Sequence, residues 1–357
     1  MTDRVVPMVD LAARHARVQE AVERGVVEVL RSGRYVGGPV VRELERAVAR
    51  RMGRAHGAGT NSGTDALTLA LKALGIGPGH QVVVPALTFF ATVESVLHAG
   101  ATPVIVDVLP DRPLMDPDAA RAACGPRTAA IVPVHLFGDR AEAPDIGVAV
   151  VDDAAQAVGA TPPCARGVLT ATSFYPTKVL GAAGDAGMVV GDDEELVARV
   201  AALGSHGMSA PHRHHRVAGH VGGNSRLDAV QAAVLRAHLD DLDARIERRR
   251  AIAAAYEAAF GDLCLPRDPG SPVSVFCLRH PRRDALQAAL RAAGVASAVY
   301  YPSPVGTQPV LGHDPAAAAA ATPHAAAFCR ELLAIPCHAT MDDDDVRRVI
   351  DAVREAA

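Results

Sequence analysis

Six short runs rich in β-branched residues, interleaved with stretches of helical periodicity, constrain the fold of this chain more than any other feature. Val82 to Val84, Pro103 to Asp107, Ala129 to Val134, Val148 to Val151, Thr172 to Tyr175 and Gly187 to Val190 read as strands. Stretches such as Leu67, Leu71 and Leu74 repeat at helical spacing. This alternation predicts an α/β sandwich, a mostly parallel sheet covered by helices. Ligands of such sheets collect outside the carboxyl ends of the strands. Residues just beyond a strand are therefore the first candidates for chemistry.

From about Leu227 the texture changes. Leu235, Leu239, Leu242 and Ile246 recur at spacings of four, three and four, which predicts one long arginine-rich helix ending near Phe260. The helix leaves a large first domain, residues 1–242, and leads into a smaller C-terminal α/β domain, residues 243–357. There, a loop at Pro266 to Pro272 precedes a strand at Val273 to Leu278, a helix at Arg283 to Ala293 and a short extended piece at Ala298 to Tyr301. The alanine run Ala316 to Ala321, confined by Pro315 and Pro323, reads as a surface helix or loop, and Asp342 to Ala357 as an amphipathic helix. No internal repeat is visible.

Composition narrows the class. With 36 basic and 40 acidic side chains the net charge is -4, so the chain has no electrostatic footprint for nucleic acid or an anionic membrane. No apolar run approaches the roughly 18 residues of a membrane span. The start, MTDRVVPMVDLAARH, lacks the apolar core of a secretory signal. A cytoplasmic protein is expected. Six scattered cysteines without a C-x-x-C pair favour reduced thiols and argue against structural zinc. Of the 36 basic residues only Lys72 and Lys178 are lysines, so chemistry that needs a side-chain amine has two candidates.

Three segments carry candidate chemistry. Gly59 to Leu67 (GTNSGTDAL) runs from a small-residue turn into a helix, whose exposed first amides and dipole can bind phosphate. Ser-Gly-Thr-Asp is equally a good ordinary N-cap. In Val150 to Gln156 (VVDDAAQ) an acidic pair follows an apolar strand; alone, it reads as well as a solvated turn. Ser173 to Lys178 (SFYPTK) places one of the two lysines just beyond a strand and before a glycine-rich turn ending at Gly187, whereas Lys72 sits on a helix surface. A helix-start phosphate site, a strand-end aspartate and a strand-end lysine fit pyridoxal phosphate. The amine forms the Schiff base, the carboxylate keeps the pyridine nitrogen protonated and the amides hold the phosphate. Two other motifs are set aside. Gly75 to Gly79 follows a helix rather than a strand and contains proline, so it is no dinucleotide loop. His206, His212, His214, His215 and His220 crowd one loop, but acidic and cysteine ligands are absent nearby; a mobile basic loop able to touch a diphosphate is the reading, with no metal.

Together these segments resemble the DegT/StrS family of sugar aminotransferases, pyridoxal-phosphate enzymes of the aspartate aminotransferase fold type. The resemblance spans nearly the whole chain, in family order: Val9 to Leu11, Asn61 to Leu67, Val84 to Phe89, Pro133 to Gly138, Asp153 to Gln156, Ser173 to Lys178, Gly223 to Asp228 with Gln231 to Ala233, and Tyr300 to Pro304. It implies that Lys178 binds the cofactor and moves the proton, and that Asp153 pairs with the pyridine nitrogen. It further implies that Phe89 stacks on the ring, that Gln156 lies beside the cofactor oxygen, and that Gly63, Thr64 and Ser173 hold the phosphate. Asn224 would reach the cofactor phosphate of a neighbouring subunit, which makes the protein a homodimer with a shared site. Tyr301 is a substrate-pocket candidate.

The chain departs from the pattern in three places. The connection between Gly138 and Asp153 is short, so a helix is trimmed or lost there, and Phe276 to Arg283 is compact. Tyr300 and Gly306 stand where relatives often carry histidine, near the substrate end of the site. The implied activity is transfer of an amino group from glutamate or glutamine to a nucleotide-activated 3-keto-6-deoxyhexose in antibiotic sugar synthesis, with arginines of 206–226 on the diphosphate. A 4-keto sugar or an inosose is the alternative substrate. A sugar dehydratase of the same family ranks lower, because that variant replaces the lysine with histidine. A non-catalytic regulator is the third class.

Overall fold

The computed structural model describes residues 5–208 and 221–356. Seven strands form the central sheet: β1 His56–Thr60, β2 Gln81–Pro85, β3 Thr102–Val106, β4 Thr128–Ile131, β5 Ala149–Asp153, β6 Leu169–Ser173 and β7 Gly187–Gly191. Their order is β1-β7-β6-β5-β4-β2-β3. β7 runs antiparallel to both its neighbours, and all other pairings are parallel. Every strand but β7 therefore ends on the same edge of the sheet.

The sheet is covered on both faces, as its continuous apolar strands require. In β7, Val189 turns toward Leu67, Leu71, Val93 and Val200, while Met188 and Val190 pack with Leu44, Val48, Phe174 and Leu235. The first group belongs to helices Gly63–Ala73, Ala91–His98 and Glu194–Gly204; the second draws on Pro39–Arg51 and Ala229–Asp240. A fully buried leucine such as Leu71 contributes roughly 1.5–3 kcal/mol through the water-excluded area it provides.

A second sheet pairs β8 (Phe276–Arg279) antiparallel to β9 (Leu332–Ile335). Ile252, Tyr256 and Phe260 of helix Leu242–Phe260 pack over it, with Leu286 and Leu290 of Arg283–Ala292, Val349 and Val353 of Asp343–Ala356, and Val6 from the opposite end of the chain. Ala298 exchanges both backbone hydrogen bonds with Ala334. That exchange fixes the path of the chain into Tyr300 and Tyr301.

Several expectations change. The helix read as one unit through residue 260 is two, Ala229–Asp240 and Leu242–Phe260, broken at Asp241 (φ −96°, ψ 2°). The apolar spacing ran through the break because both helices rest on one core, which takes Leu235, Leu242 and Ile246. The strand expected from Val273 starts at Phe276, since Val273 has φ 51° and cannot lie in a strand. β1 had no strand signature: its glycines stand where Leu227 and Glu45 leave no room, a Cβ on Gly59 falling 2.6 Å from Leu227 Cβ. The 139–148 connection carries no helix, as its shortness predicts. The alanine run is a helix, Pro315–Ala321, with Asp314 accepting from the amides of Ala316 and Ala317.

Candidate active site

A cavity of about 560 Å³ lies at the edge where the parallel strands end. Ser62, Gly63 and Thr64 follow β1; Thr88 and Phe89 follow β2; Asp153 closes β5; Ser173 closes β6 and leads to Lys178; Asp185 precedes β7. The opposite wall consists of Val275 and Phe276 at β8, Ile335 and Cys337 at β9, Tyr300, Tyr301 and Arg249, with Met8 and Val9 from the start of the chain.

The strand pleat sorts the acidic pair. Asp152 turns away from the cavity, and its Oδ2 accepts from the amides of Arg166 (2.7 Å) and Gly167 (2.6 Å) and from the Thr170 hydroxyl (3.0 Å). Burial works to raise its carboxyl, but the nearby His135 imidazole and these amides outweigh burial and hold it below the ordinary value. Asp153 turns into the cavity. Its Oδ2 accepts from the Thr92 hydroxyl at 2.8 Å and its Oδ1 from the Ala155 amide at 3.1 Å, while Thr92 pairs with Thr88 at 2.8 Å. Burial pushes the Asp153 carboxyl above its usual value, against the pull of Ala155, Thr92 and Lys178. Burial also lowers the Lys178 amine, with the Asp153 charge opposing. A lysine so placed gives up its proton more readily than one in water, as a nucleophilic amine must.

Opposite this pair the Gly63 turn makes a cradle. Ser62 Oγ accepts from the Asp65 amide at 3.1 Å, and helix geometry leaves the preceding amides, Gly63 and Thr64, without an intrahelical acceptor. A Cβ on Gly63 would stand 2.6 Å from Ser173 Cβ, and one on Gly187 would stand 2.3 Å from the Ser62 carbonyl oxygen. Only glycine lets the turn, the end of β6 and the start of β7 converge this closely. Gln156 has a fixed orientation, because its Oε1 accepts from the Phe137 amide at 2.7 Å and leaves its NH₂ to donate. Phe137, which donates that bond, has φ 62°. The Tyr301 ring lies 6.0 Å from that of Phe89, and burial pushes its phenol up, offset in part by Gln156.

Eight of the nine residues singled out in the sequence line this one cavity. Asn224 does not. It is exposed, and its Oδ1 accepts from Arg226 Nε (3.1 Å) and Nη2 (2.6 Å). Of the histidine loop, His212, His214, His215 and His220 lie outside the described residues. Among the described residues no group of three or more His, Cys, Asp or Glu could hold a metal ion, and no helix is long and apolar enough to cross a membrane. Sequence reasoning missed Thr92, Thr88, Arg249 and Asp185. Thr88 and Thr92, four apart, follow a strand as other site residues do, which is the one signal that could have flagged them.

The residues fit pyridoxal phosphate. The Gly63 turn leaves amides, and space that a Cβ would fill, for a phosphate. The buried Asp153 carboxylate calls for a cation such as a protonated pyridine nitrogen, and Lys178 offers the amine. Fold and site together define a pyridoxal-phosphate-dependent aminotransferase. Residues 17–354 match the DegT/DnrJ/EryC1/StrS aminotransferase family model, and the chain belongs to that family. It is similar to the UDP-N-acetyl-3-dehydro-α-D-glucosamine 3-aminotransferase of Acidithiobacillus ferrooxidans (41% identity, 98% of this chain and 97% of that one). It is also similar to the dTDP-3-amino-3,4,6-trideoxy-α-D-glucose transaminase of Streptomyces venezuelae (39% identity, 99% and 96%). The crystal structure of S. venezuelae DesV superimposes with a TM-score of 0.92 at 38% identity, covering 99% of this chain and 98% of that one.

Proposed function

We propose that this enzyme moves an amino group from glutamate or glutamine to the 3-keto carbon of a nucleotide-activated deoxyhexose. The convergence of Asp153, Lys178 and the Gly63–Ser173 cradle in one cavity carries the transamination chemistry. The names of the two relatives above, both 3-amino sugar transaminases, support the carbon and the substrate class.

When bound, pyridoxal phosphate supplies the electron sink that stabilises negative charge on the carbon losing its proton. The amides of Gly63 and Thr64 and the Ser173 hydroxyl hold the phosphate. Asp153, oriented by the Ala155 amide and the Thr92 hydroxyl, would pair with the pyridine nitrogen and keep it protonated, the cation in turn offsetting the burial that raises the Asp153 carboxyl. Lys178 would hold the cofactor through its amine, which burial lowers, and the same amine would carry the proton to and from the donor's amine-bearing carbon. Gln156, its Oε1 held by the Phe137 amide, would offer its NH₂ to the cofactor oxygen. Phe89 covers the ring face, and Tyr301 lines the substrate end.

In this reading the working unit is a homodimer. Asn224 is exposed on its own chain, its Oδ1 oriented by Arg226, and its amide would reach the cofactor phosphate of a second copy. Phe89 is 59% exposed and Tyr175 51% exposed at the cavity, apolar surface that a second copy would cover. We further divide the chain at residue 242, where helix Leu242–Phe260 begins, and place the enzyme in the cytoplasm, where its six free cysteines stay reduced. The test is a panel of 3-keto and 4-keto nucleotide sugars and inososes presented to the amine-loaded enzyme. A mass increase matching ketone-to-amine exchange on a 3-keto sugar alone is expected; exchange only on an inosose would refute the substrate class.

A further inference from the structure

The cavity holds a cation that this cofactor chemistry leaves unused. Arg249, on helix Leu242–Phe260, is only 6% exposed yet lines the wall facing the strand ends. Its Nη1 donates to the carbonyls of Cys337 (2.7 Å) and Val273 (2.9 Å), with Ser274 at 3.4 Å. Those carbonyls come from the segments beside β8 and β9, so they fix the guanidinium plane against the second sheet. Among the described residues Nε and Nη2 have no hydrogen-bond partner, and they are not among the nitrogens sealed in the interior. The Nε–Nη2 edge, the fork that grips a carboxylate with two parallel bonds, is thus left to a ligand of the cavity that Arg249 lines. Among the described residues no carboxylate forms an ion pair with Arg249, and burial works against its charge.

The basic residues lining the cavity are Lys178 and Arg249. Lys178 is committed to the carbonyl and the proton. A substrate anion carried deep into the cavity therefore has one cation to meet. The diphosphate of a nucleotide sugar is separated from its ketone by the sugar ring and can stay at the mouth. An amino-acid donor has no such freedom: its carboxylate is bonded to the carbon that reacts. We infer that Arg249 receives the α-carboxylate of the amino donor, and thereby makes the enzyme prefer α-amino acids to simple amines. This rests on the amino-acid donor proposed above.

The test compares glutamate with 4-aminobutyrate, which is glutamate without its α-carboxylate. Conversion of the cofactor from aldehyde to amine form is followed by absorption in wild type, R249Q and R249K. Wild type should prefer glutamate strongly. In R249Q the preference should collapse by about 10²-fold or more, the loss of a charge-assisted bidentate pair, with R249K intermediate. The second half-reaction, amine-loaded enzyme with keto sugar, should change far less. Calorimetry with α-methylglutamate, which has no α-proton to lose, should show binding to wild type and none to R249Q. Because the preference is a ratio within one protein, it does not depend on the folded fraction. An R249Q enzyme that keeps the wild-type preference overturns the assignment. So does equal loss of both half-reactions in R249Q and R249K, which would make Arg249 only the clamp on its three carbonyls. A wild type that accepts both amines alike refutes the amino-acid donor itself, and the assignment with it.

Discussion

Replacing Asp153 by asparagine should make the cofactor-free protein more stable and cofactor binding weaker. The side chain is 6% exposed and accepts one hydroxyl and one amide hydrogen bond. Asparagine can keep both contacts. Its oxygen accepts from Ala155, and its NH₂ can donate to Thr92, which then turns its own proton to Thr88 at 2.8 Å. What the substitution removes is a buried charge. Burial raises the folded-state value for Asp153, so this group supports folding fully only below the unfolded carboxyl value, and that support is lost as pH rises through the folded value. Relieving the penalty at pH 8 should add on the order of 1–2 kcal/mol, which is about 1–3 °C in Tm for a chain of 357 residues. The variant's advantage should shrink as pH falls toward about 4. With cofactor the sign reverses: losing one partner of a buried ion pair costs about 3 kcal/mol, close to 10²-fold in affinity. Thermal unfolding of cofactor-free proteins between pH 5 and 8, with cofactor titrations by absorption, measures both. A cofactor-free D153N less stable than wild type at pH 8, or an advantage independent of pH, would refute the reasoning.

Gly63→Ala should weaken cofactor binding at least tenfold while costing about 1–3 kcal/mol, because its Cβ meets Ser173 at 2.6 Å; unchanged cofactor titrations would remove the cradle. Burial raises the Asp139 carboxyl to about 6, where its Oδ1 accepts from the Asp268 amide at 3.0 Å. Its contribution, up to about 3 kcal/mol, is present below the unfolded carboxyl value and lost as pH rises through about 6, so the fall in Tm from pH 5 to 7 should be shallower in Asp139→Asn. Mixing Lys178→Ala with Asn224→Ala, each inactive alone, should restore activity by forming hybrid dimers with one intact site; no recovery after subunit exchange would contradict the shared site.

The sequence and the structure agree most where local chemistry and the sheet's geometry coincide. Asp153 and Lys178 could be picked out because parallel strands deliver their carboxyl-terminal neighbours to one edge, and because the chain has only two lysines. The choice between Asp152 and Asp153 was not legible from composition; it follows from the pleat, which turns one to Arg166 and Gly167 and the other to the cavity. β1 was hidden because close packing against Leu227 selects glycine over the β-branched residues that announce a strand. The break at Asp241 was hidden because both helices share one core, so the apolar period survives a turn. Thr92 and Arg249 act over separations of 61 and 88 residues, through contacts that no spacing rule encodes.

The central claim is that Lys178 carries the cofactor. The most direct test is borohydride reduction of the cofactor-loaded protein, followed by absorption and peptide mass mapping. The visible band should disappear on reduction, and the pyridoxyl mass should appear on the peptide holding Lys178 and not on that holding Lys72. An adduct on Lys72, or no adduct with cofactor in excess, would contradict the account.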